Sequence, residues 1–152
     1  YTRQTMPVIE GHLVKVAAKH GGSFPYMQTV LKLFVSLKNE MEEHMQKEEI
    51  VLFPRIKEME TFIANQQNST IHGNYISNPI AMMEHEHDHA GALIAEIRKL
   101  TNNFTPPEQA CNTFRIVLNE LKAFEEDLHK HVHLENNILF PMAISMAQKQ
   151  IG

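Results

Sequence analysis

The sequence contains little cysteine and no tryptophan, and it has no long apolar run. Cys111 is the only cysteine among 152 residues, so the chain cannot form an intramolecular disulfide. The apolar spacing around Cys111 predicts a buried, unreactive thiol on a helix. No stretch of about 18 apolar residues is present that could span a bilayer. The start, YTRQTMPVIEGH, has the features of neither a signal peptide nor a lipidation site, which predicts a cytoplasmic protein without membrane attachment.

Excess positive charge is also absent. The formal net charge is -4, so no basic surface is available for nucleic acid. Hydrophobic residues make up 43% and charged residues 21%, as in ordinary soluble proteins. A length of 152 residues suits one domain, which we predict to span 1–152. Against this background, 10 histidines and 9 methionines are the unusual feature.

Apolar residues recur at spacings of three and four almost everywhere, and no stretch alternates as a strand would. The pattern predicts an all-α protein with four amphipathic helices, arranged as an antiparallel up-down four-helix bundle. The first helix is predicted to begin near Pro7 and to end at Gly21-Gly22. The second is predicted to run from about Pro25 to Glu60, with Pro54 kinking it or ending its regular part.

Polar segments separate the later helices. The stretch 61–78 is polar and aperiodic, which predicts a loop. Asn78 followed by Pro79 has the pattern of a cap and a first-turn proline, so the third helix is predicted to begin there. Thr105 and Glu108 have capping-box spacing, which predicts that the fourth helix begins near residue 106.

Two segments of eleven residues share one pattern. HMQKEEIVLFP begins at His44 and HVHLENNILFP at His131; both contain a histidine, a glutamate four residues later, and then Leu-Phe-Pro. His44 and Glu48 continue the apolar stripe of the second helix, and His131 and Glu135 continue that of the fourth. Side chains four residues apart project from one helix face, so both pairs are predicted to face the core.

Histidines also occupy stripe positions in the first and third helices. The six predicted core-facing ligands are His20, His44, Glu48, His87, His131 and Glu135. A buried carboxylate costs several kcal/mol unless it is paired, protonated or metal-bound, and no lysine or arginine lies nearby on these stripes. We therefore predict a metal centre. Imidazole and carboxylate without thiolate favour iron, manganese or zinc, and six ligands exceed the four that a single zinc needs, which favours two metal ions.

The remaining histidines and the methionines have other predicted places. Four histidines lie two residues from a position of the apolar stripe, so we expect their side chains to be exposed or to contact the ligands from outside the metal site: His85, His89, His129 and His133. His12 and His72 are weaker ligand candidates. Five methionines are expected to fill the core, namely Met27, Met41, Met82, Met83 and Met142.

The segments HMQKEEIVLFP, EHDHAG, TNNFTPP and HVHLENNILFP together resemble the hemerythrin-like di-iron domain of the repair-of-iron-centres family, over nearly the whole chain. The resemblance implies two non-haem iron ions, Fe2+ or Fe3+, with an oxo or hydroxo bridge as an option. It implies Glu48 and Glu135 as bridging ligands. The nitrogen ligands that it implies are His20, His44, His87 and His131.

The same resemblance implies a role in repairing iron-sulfur clusters damaged by nitrosative or oxidative stress, through iron delivery or nitric oxide chemistry. Nitric oxide, oxygen or peroxide would bind at the iron site, and iron-sulfur proteins would be clients. A reversible oxygen-binding or sensing protein is the alternative, and a bundle whose His–Glu pairs only hydrogen-bond is the third. The sequence decides neither whether the protein is an enzyme nor whether it forms a homodimer.

The sequence departs from the family pattern at its start. His87 stands 44 residues before His131, and the same step back from His44 leads to the position just before Tyr1. The family usually has a further core histidine there, and a small N-terminal domain with a cysteine motif. We therefore expect an upstream segment to be missing, in which case water or His12 would complete the ligand set.

Overall fold

A computed structural model describes the backbone of residues 2–64 and 74–151, and the side chains of 2–61 and 75–148. These residues form six α-helices, and no β-strand occurs among them. The helices are α1 (Thr2–His20), α2 (Tyr26–Lys47), α3 (Phe53–Ala64), α4 (Asn74–Leu100), α5 (Asn112–Leu134) and α6 (Phe140–Ile151). A first π-turn (Glu48–Leu52) joins α2 to α3, and a second π-turn (Glu135–Leu139) joins α5 to α6. Four continuous helical runs result, which confirms the predicted all-α class.

The two π-turns have the same place in the two repeated segments. The Phe53 N–H donates to the Glu48 carbonyl, and the Phe140 N–H donates to the Glu135 carbonyl, both across five residues. A proline follows each phenylalanine; it has no N–H to donate, and its ring crowds the carbonyl four residues earlier. The wider turn accommodates the proline while the helix continues. The prediction of an irregularity at Pro54 is therefore confirmed, but the helix does not end there.

The predicted starts of the first, third and fourth helices are wrong. Pro7 lies inside α1, and Pro79 lies inside α4. In α4 the Tyr75 carbonyl would have bonded to the missing N–H of Pro79, and the Arg55 guanidinium donates to it instead at 2.9 Å. This replacement lets the helix begin four residues before the predicted cap. The predicted loop 61–78 is correspondingly shorter at both ends, and its middle, including His72, lies outside the described residues.

The fourth helical run begins at Asn112, about six residues later than predicted. Thr105 and Glu108 therefore do not form a capping box. The Arg115 guanidinium group instead donates to the backbone carbonyls of Pro107, Glu108 and Ala110, which holds this segment in a non-helical conformation. Cys111 also precedes the helix and is partly buried, so its predicted position on an apolar helix face is wrong.

The chain divides into two compact units. The first unit, Tyr1–Glu42 with His89–His129, contains α1, most of α2, the end of α4 and most of α5. The apolar stripes predicted for these helices are buried in it, and at its centre the rings of Phe34 and Phe124 meet edge-on at 5.7 Å. Such aromatic pairs add about 1 kcal/mol beyond area burial.

The second unit, Glu43–Asp88 with Lys130–Gly152, contains both π-turns, α3 and α6. Its apolar core consists of Leu52, Ile56, Met59, Ile76, Ile80, Met83, Phe140, Ala143 and Ala147. Met27, Met41 and Met83 are buried as predicted within their units. Met82 and Met142 are about half exposed, so the prediction that they fill the core is wrong. None of the described helices is both long and apolar enough to cross a membrane.

The turn after α1 allows a test of the fold. A Cβ at Gly21 would clash with the Ala17 carbonyl oxygen and would lie 2.6 Å from Gln28 Nε2. We expect Gly21→Ala to cost roughly 2 kcal/mol and to lower the melting temperature by about 6 °C. Gly22→Ala is the control, because nothing lies within 4 Å of that position. Equal melting temperatures for the two variants would contradict the described turn.

Candidate metal centre

Five of the six predicted ligands come together in the second unit. His44 lies in the last turn of α2, and Glu48 opens the first π-turn. His131 lies in the last turn of α5, and Glu135 opens the second π-turn. His87 comes from α4. The repeated His–Glu spacing thus places one pair on each of two helical runs.

The imidazole Nε2 atoms point at the carboxylates. His44 Nε2 lies 2.7 Å from Glu48 Oε1, and His131 Nε2 lies 2.6 Å from Glu135 Oε1. His87 Nε2 lies 3.2 Å from Glu135 Oε1 and 3.1 Å from His44 Nε2. One ligand atom from each of His44, Glu48, His87 and Glu135 falls within a 4.8 Å group. His131 approaches both carboxylates, since its Nε2 is also 3.9 Å from Glu48 Oε1.

Four of these five residues are buried. His44, Glu48, His87 and Glu135 are each at most 5% exposed. His131 is different, because 37% of its side chain is exposed, whereas the stripe pattern predicted a core position. The Nε2 atom of His131 is nevertheless buried, so the exposed part of the ring is the part that faces away from the carboxylates.

The histidines respond to the carboxylates through their pKa values. Burial alone would lower the pKa of His44, but hydrogen bonds to Glu135 and Glu48 outweigh it and raise the pKa to about 9. The contacts of His131 with Glu135 and then Glu48 raise its pKa to about 10 against the effect of burial. Without a metal, protons on these two histidines therefore balance the two carboxylates.

Glu135 lies at the centre of this network. Burial would raise the pKa of its carboxyl group, but the close imidazoles of His131, His44 and His87 hold that pKa far below its usual range. Glu135 thus stays ionised in the protein interior. A buried anion that three imidazoles approach has the electrostatics of a cation site.

Unsatisfied polar atoms show that protons alone do not complete the cluster. Glu48 Oε1, Glu135 Oε2 and His131 Nε2 are buried without a properly oriented hydrogen bond. Native proteins leave few buried polar atoms unpaired, and each calls for a ligand, an ion or water. Lone pairs of two carboxylates and three imidazoles, without thiolate, are the donors that iron, manganese or zinc accepts. The residues present therefore fit a bound metal.

The outer edges of two imidazoles also have partners. His87 Nδ1 lies 2.9 Å from Asn136 Oδ1, and the Phe140 ring stacks on the His87 ring at 5.8 Å. His44 Nδ1 lies 3.5 Å from Glu86 Oε1, and the other oxygen of Glu86 accepts from Lys47 Nζ at 3.0 Å. Sequence reasoning missed Glu86 and Asn136. The sequence signal that could have found them is their position next to a predicted ligand, because Glu86 precedes His87 and Asn136 follows Glu135.

Lys47 also lines an open cleft of about 360 Å³. The other lining residues are Val51, Arg55, Asn78, Pro79, Met82 and Met83. Lys47 contacts Glu86, and Glu86 contacts His44, so these side chains connect the cleft to the cluster. The Nδ1 atom of His44 and the Oε1 atom of Glu86 that faces it are both buried, so the cleft does not expose the cluster to solvent.

Other described histidines have partners within the first unit. His20 belongs to that unit, where its ring packs against Phe24 and Phe114. His12 pairs with Glu120 at 2.6 Å in that same unit. The four histidines predicted to lie off the stripes, His85, His89, His129 and His133, are all exposed. The assignment of His20 as a ligand stays a prediction.

Comparison with known families identifies the class of protein. A family model described as the hemerythrin HHE cation binding domain matches residues 1–143. The chain therefore belongs to the hemerythrin family. Together with the all-helical structure, this match confirms the predicted hemerythrin-like four-helix bundle.

Curated relatives narrow the comparison further. The chain is 36% identical over 143 residues to the iron-sulfur cluster repair protein YtfE of Escherichia coli O81 (strain ED1a). The proteins of the same name from Escherichia coli O1:K1 / APEC and Escherichia fergusonii show the same identity. Each match covers 94% of this chain and 60% of the relative. The chain thus spans about 60% of the length of these relatives, and the resemblance predicted from the sequence is confirmed.

The pKa values of the metal-free cluster predict how stability depends on pH. A histidine with a raised pKa stabilises the fold fully below its unfolded pKa of about 6.5 and loses that contribution as pH rises through the folded value. Since the pKa of His44 is raised to about 9 and that of His131 to about 10, the metal-free protein should lose stability between pH 7 and 10. For His44 the loss is on the order of 2 kcal/mol, or about 5 °C in melting temperature. Glu135 has the opposite effect. Its pKa is lowered, so its contribution to stability is present above about pH 4.5 and is lost in acid.

Thermal melts at a series of pH values, with chelator present, check this expectation. His44→Gln should flatten the fall between pH 7 and 10. The control His85→Gln, which changes an exposed histidine, should reproduce the native profile. An equally steep fall in His44→Gln would show that the cluster does not cause it.

Proposed function

We propose that this chain is a non-haem di-iron protein that helps to repair iron-sulfur clusters damaged by nitrosative or oxidative stress. The observation that carries the proposal is the cluster of two glutamates and three histidines, buried except beside His131. The names of the relatives, iron-sulfur cluster repair proteins, support this role for the domain. Damaged iron-sulfur proteins as clients, nitric oxide, oxygen or peroxide as ligands, and a cytoplasmic setting belong to the same proposal.

The proposed ligands have distinct roles. Glu48 and Glu135 come from opposite helical runs and approach shared histidines, so they suit the role of bridges between two iron ions. His44, His87 and His131 present Nε2 to the same space. The Nε2 atom of His20 is buried without a hydrogen-bond partner, but its described neighbours are aromatic rings and not carboxylates. We therefore assign the centre to the five clustered residues first.

The charges of the cluster suggest how iron could be delivered. When bound, an iron pair supplies redox chemistry and exchangeable positions for a diatomic or a peroxide. His44 and His131 would hold metal in their deprotonated form and would carry protons in its absence, because their metal-free pKa values are about 9 and 10. Proton uptake by these two histidines balances Glu48 and Glu135 after iron release. The fold can then survive the loss of its iron.

The exposure of His131 bears on the choice between repair and reversible oxygen binding. An oxygen carrier needs a sealed apolar pocket that keeps water and oxidants away from the bound gas. Here 37% of the His131 side chain is exposed. The Nε2 atom that faces the cluster is buried and the outer part of the ring reaches solvent, so only one imidazole separates the cluster from water on this side, which favours repair. A stable oxygenated form seen by absorption spectroscopy would favour the carrier instead.

Iron content tests the proposed ligands. The native protein should bind about two iron ions per chain, and Glu48→Ala or Glu135→Ala should leave fewer than about one, because each removes a carboxylate from the centre. Elemental analysis after anaerobic loading measures this. Glu49→Ala is the matched control, since Glu49 is the exposed neighbour of Glu48 and should not affect loading. Unchanged iron content in both carboxylate variants would rule out the proposed centre.

Recovery of a client tests the function. Protein loaded with iron-57 should restore the activity of a nitric-oxide-damaged [4Fe–4S] dehydratase, whereas Glu135→Ala should not, because it removes the centre. Mössbauer spectroscopy of the repaired client separates two routes. Iron-57 in the rebuilt cluster indicates iron delivery, and recovery without label indicates nitric oxide removal. No recovery above free ferrous iron, from a protein that does hold two irons, would contradict a repair role.

A further inference from the structure

We propose that Asn136 is a positioning residue that fixes the proton of His87 on Nδ1 and so leaves Nε2 free to bind metal. The proposal rests on the proposed function, because it concerns one of the proposed ligands. It adds a residue outside the ligand set, and it starts from the 2.9 Å contact between Asn136 Oδ1 and His87 Nδ1.

One structural element contacts both nitrogens and one face of the His87 ring. Glu135 Oε1 lies 3.2 Å from Nε2, Asn136 Oδ1 lies 2.9 Å from Nδ1, and the Phe140 ring stacks on the imidazole face with an interplanar angle of 6°. Glu135 and Asn136 belong to the second π-turn, and Phe140 is the residue that follows it. The second π-turn therefore sets the plane, the tilt and the hydrogen bond of His87 together.

The chemistry of imidazole determines which way the hydrogen bond runs. A neutral imidazole carries one proton, and a nitrogen that binds metal cannot carry it. If Nε2 binds metal, then Nδ1 keeps the proton and must donate, and the Asn136 carbonyl oxygen accepts it. Outer partners of this kind orient metal-bound histidines and typically change metal affinity by about 10- to 100-fold.

The neutrality of asparagine fits its surroundings. Glu48 and Glu135 already bring two carboxylates into the metal-free cluster, so a third would need a cation such as the bound metal itself. An amide carbonyl accepts the bond without adding charge. The equivalent position in the first π-turn is Glu49, which is exposed, and the equivalent of Phe140 is Phe53, which is 40% exposed. The corresponding residues of the two repeats therefore differ in type and in exposure.

Asn137 provides a matched control. It is the next residue in the chain and the same residue type, but it is exposed and contacts the exposed His133. Replacing it tests for a general effect on the second π-turn. Replacing Asn136 removes the proposed bond to His87.

The experiment measures Co2+ binding, with Co2+ alone as the probe. Asn136→Ala should weaken Co2+ binding by about 10- to 100-fold relative to the native protein, whereas Asn136→Asp, which keeps an acceptor oxygen, should stay within about threefold or bind more tightly. Asn137→Ala should bind like the native protein. Hyperfine-shifted proton NMR of the Co2+ forms gives a second readout. The exchangeable N–H signal of His87 should exchange slowly in the native protein and in Asn136→Asp, and quickly in Asn136→Ala.

Each outcome decides the proposal. Equal Co2+ affinity and equal N–H exchange in Asn136→Ala and the native protein would overturn it, and so would equal losses in Asn136→Ala and Asn137→Ala. If Asn136→Ala fails to fold, a loss of affinity and of the protected N–H signal in Asn136→Asp would overturn it as well. Failure of the native protein to bind metal at the cluster would instead contradict the proposed function, so the two failures are distinguishable.

Discussion

Two carboxylates buried among histidines are the constraint on which the second unit depends. Glu48 and Glu135 are 3% and 5% exposed, and their described ion-pair contacts are with imidazoles. Removing a carboxylate from water costs several kcal/mol unless positive charge compensates it. The raised pKa values of His44 and His131 are that compensation in the absence of metal, and Glu135 Oε2, which is buried without a hydrogen-bond partner, shows that it is incomplete. Protons and metal ions thus compete for the same site.

The two repeated segments build this site with the same backbone device and different surroundings. In each segment a π-turn begins at the glutamate and ends before Phe-Pro, so the residue that supplies the carboxylate also opens the irregular turn. Phe140 is buried against His87, whereas Phe53 is exposed. A duplicated sequence pattern has therefore given an asymmetric centre, with His87 tightly held and His131 open to solvent.

Much of the fold and most of the cluster could be predicted because both follow helical periodicity. Spacings of three and four residues place His44, Glu48, His87 and Glu135 on the core-facing sides of their own helical runs. Helix starts were less predictable, because the guanidinium groups of Arg115 and Arg55 donate to backbone carbonyls of residues well separated from them in the sequence. No local sequence pattern indicates such bonds. The exposure of His131 depends on the end of α5, where periodicity no longer determines burial. Asn136 was missed because the π-turn changes the phase of the helix just after Glu135, and the only sequence signal for that turn is the proline at its end.

Anomalous diffraction from crystals of the iron-loaded protein, measured on both sides of the iron absorption edge, locates the metal ions. We expect two anomalous peaks, both within bonding distance of Glu48 and Glu135 oxygens and surrounded by the Nε2 atoms of His44, His87 and His131. A single peak, or iron bound away from both carboxylates, would contradict a di-iron centre built on the repeated His–Glu pairs.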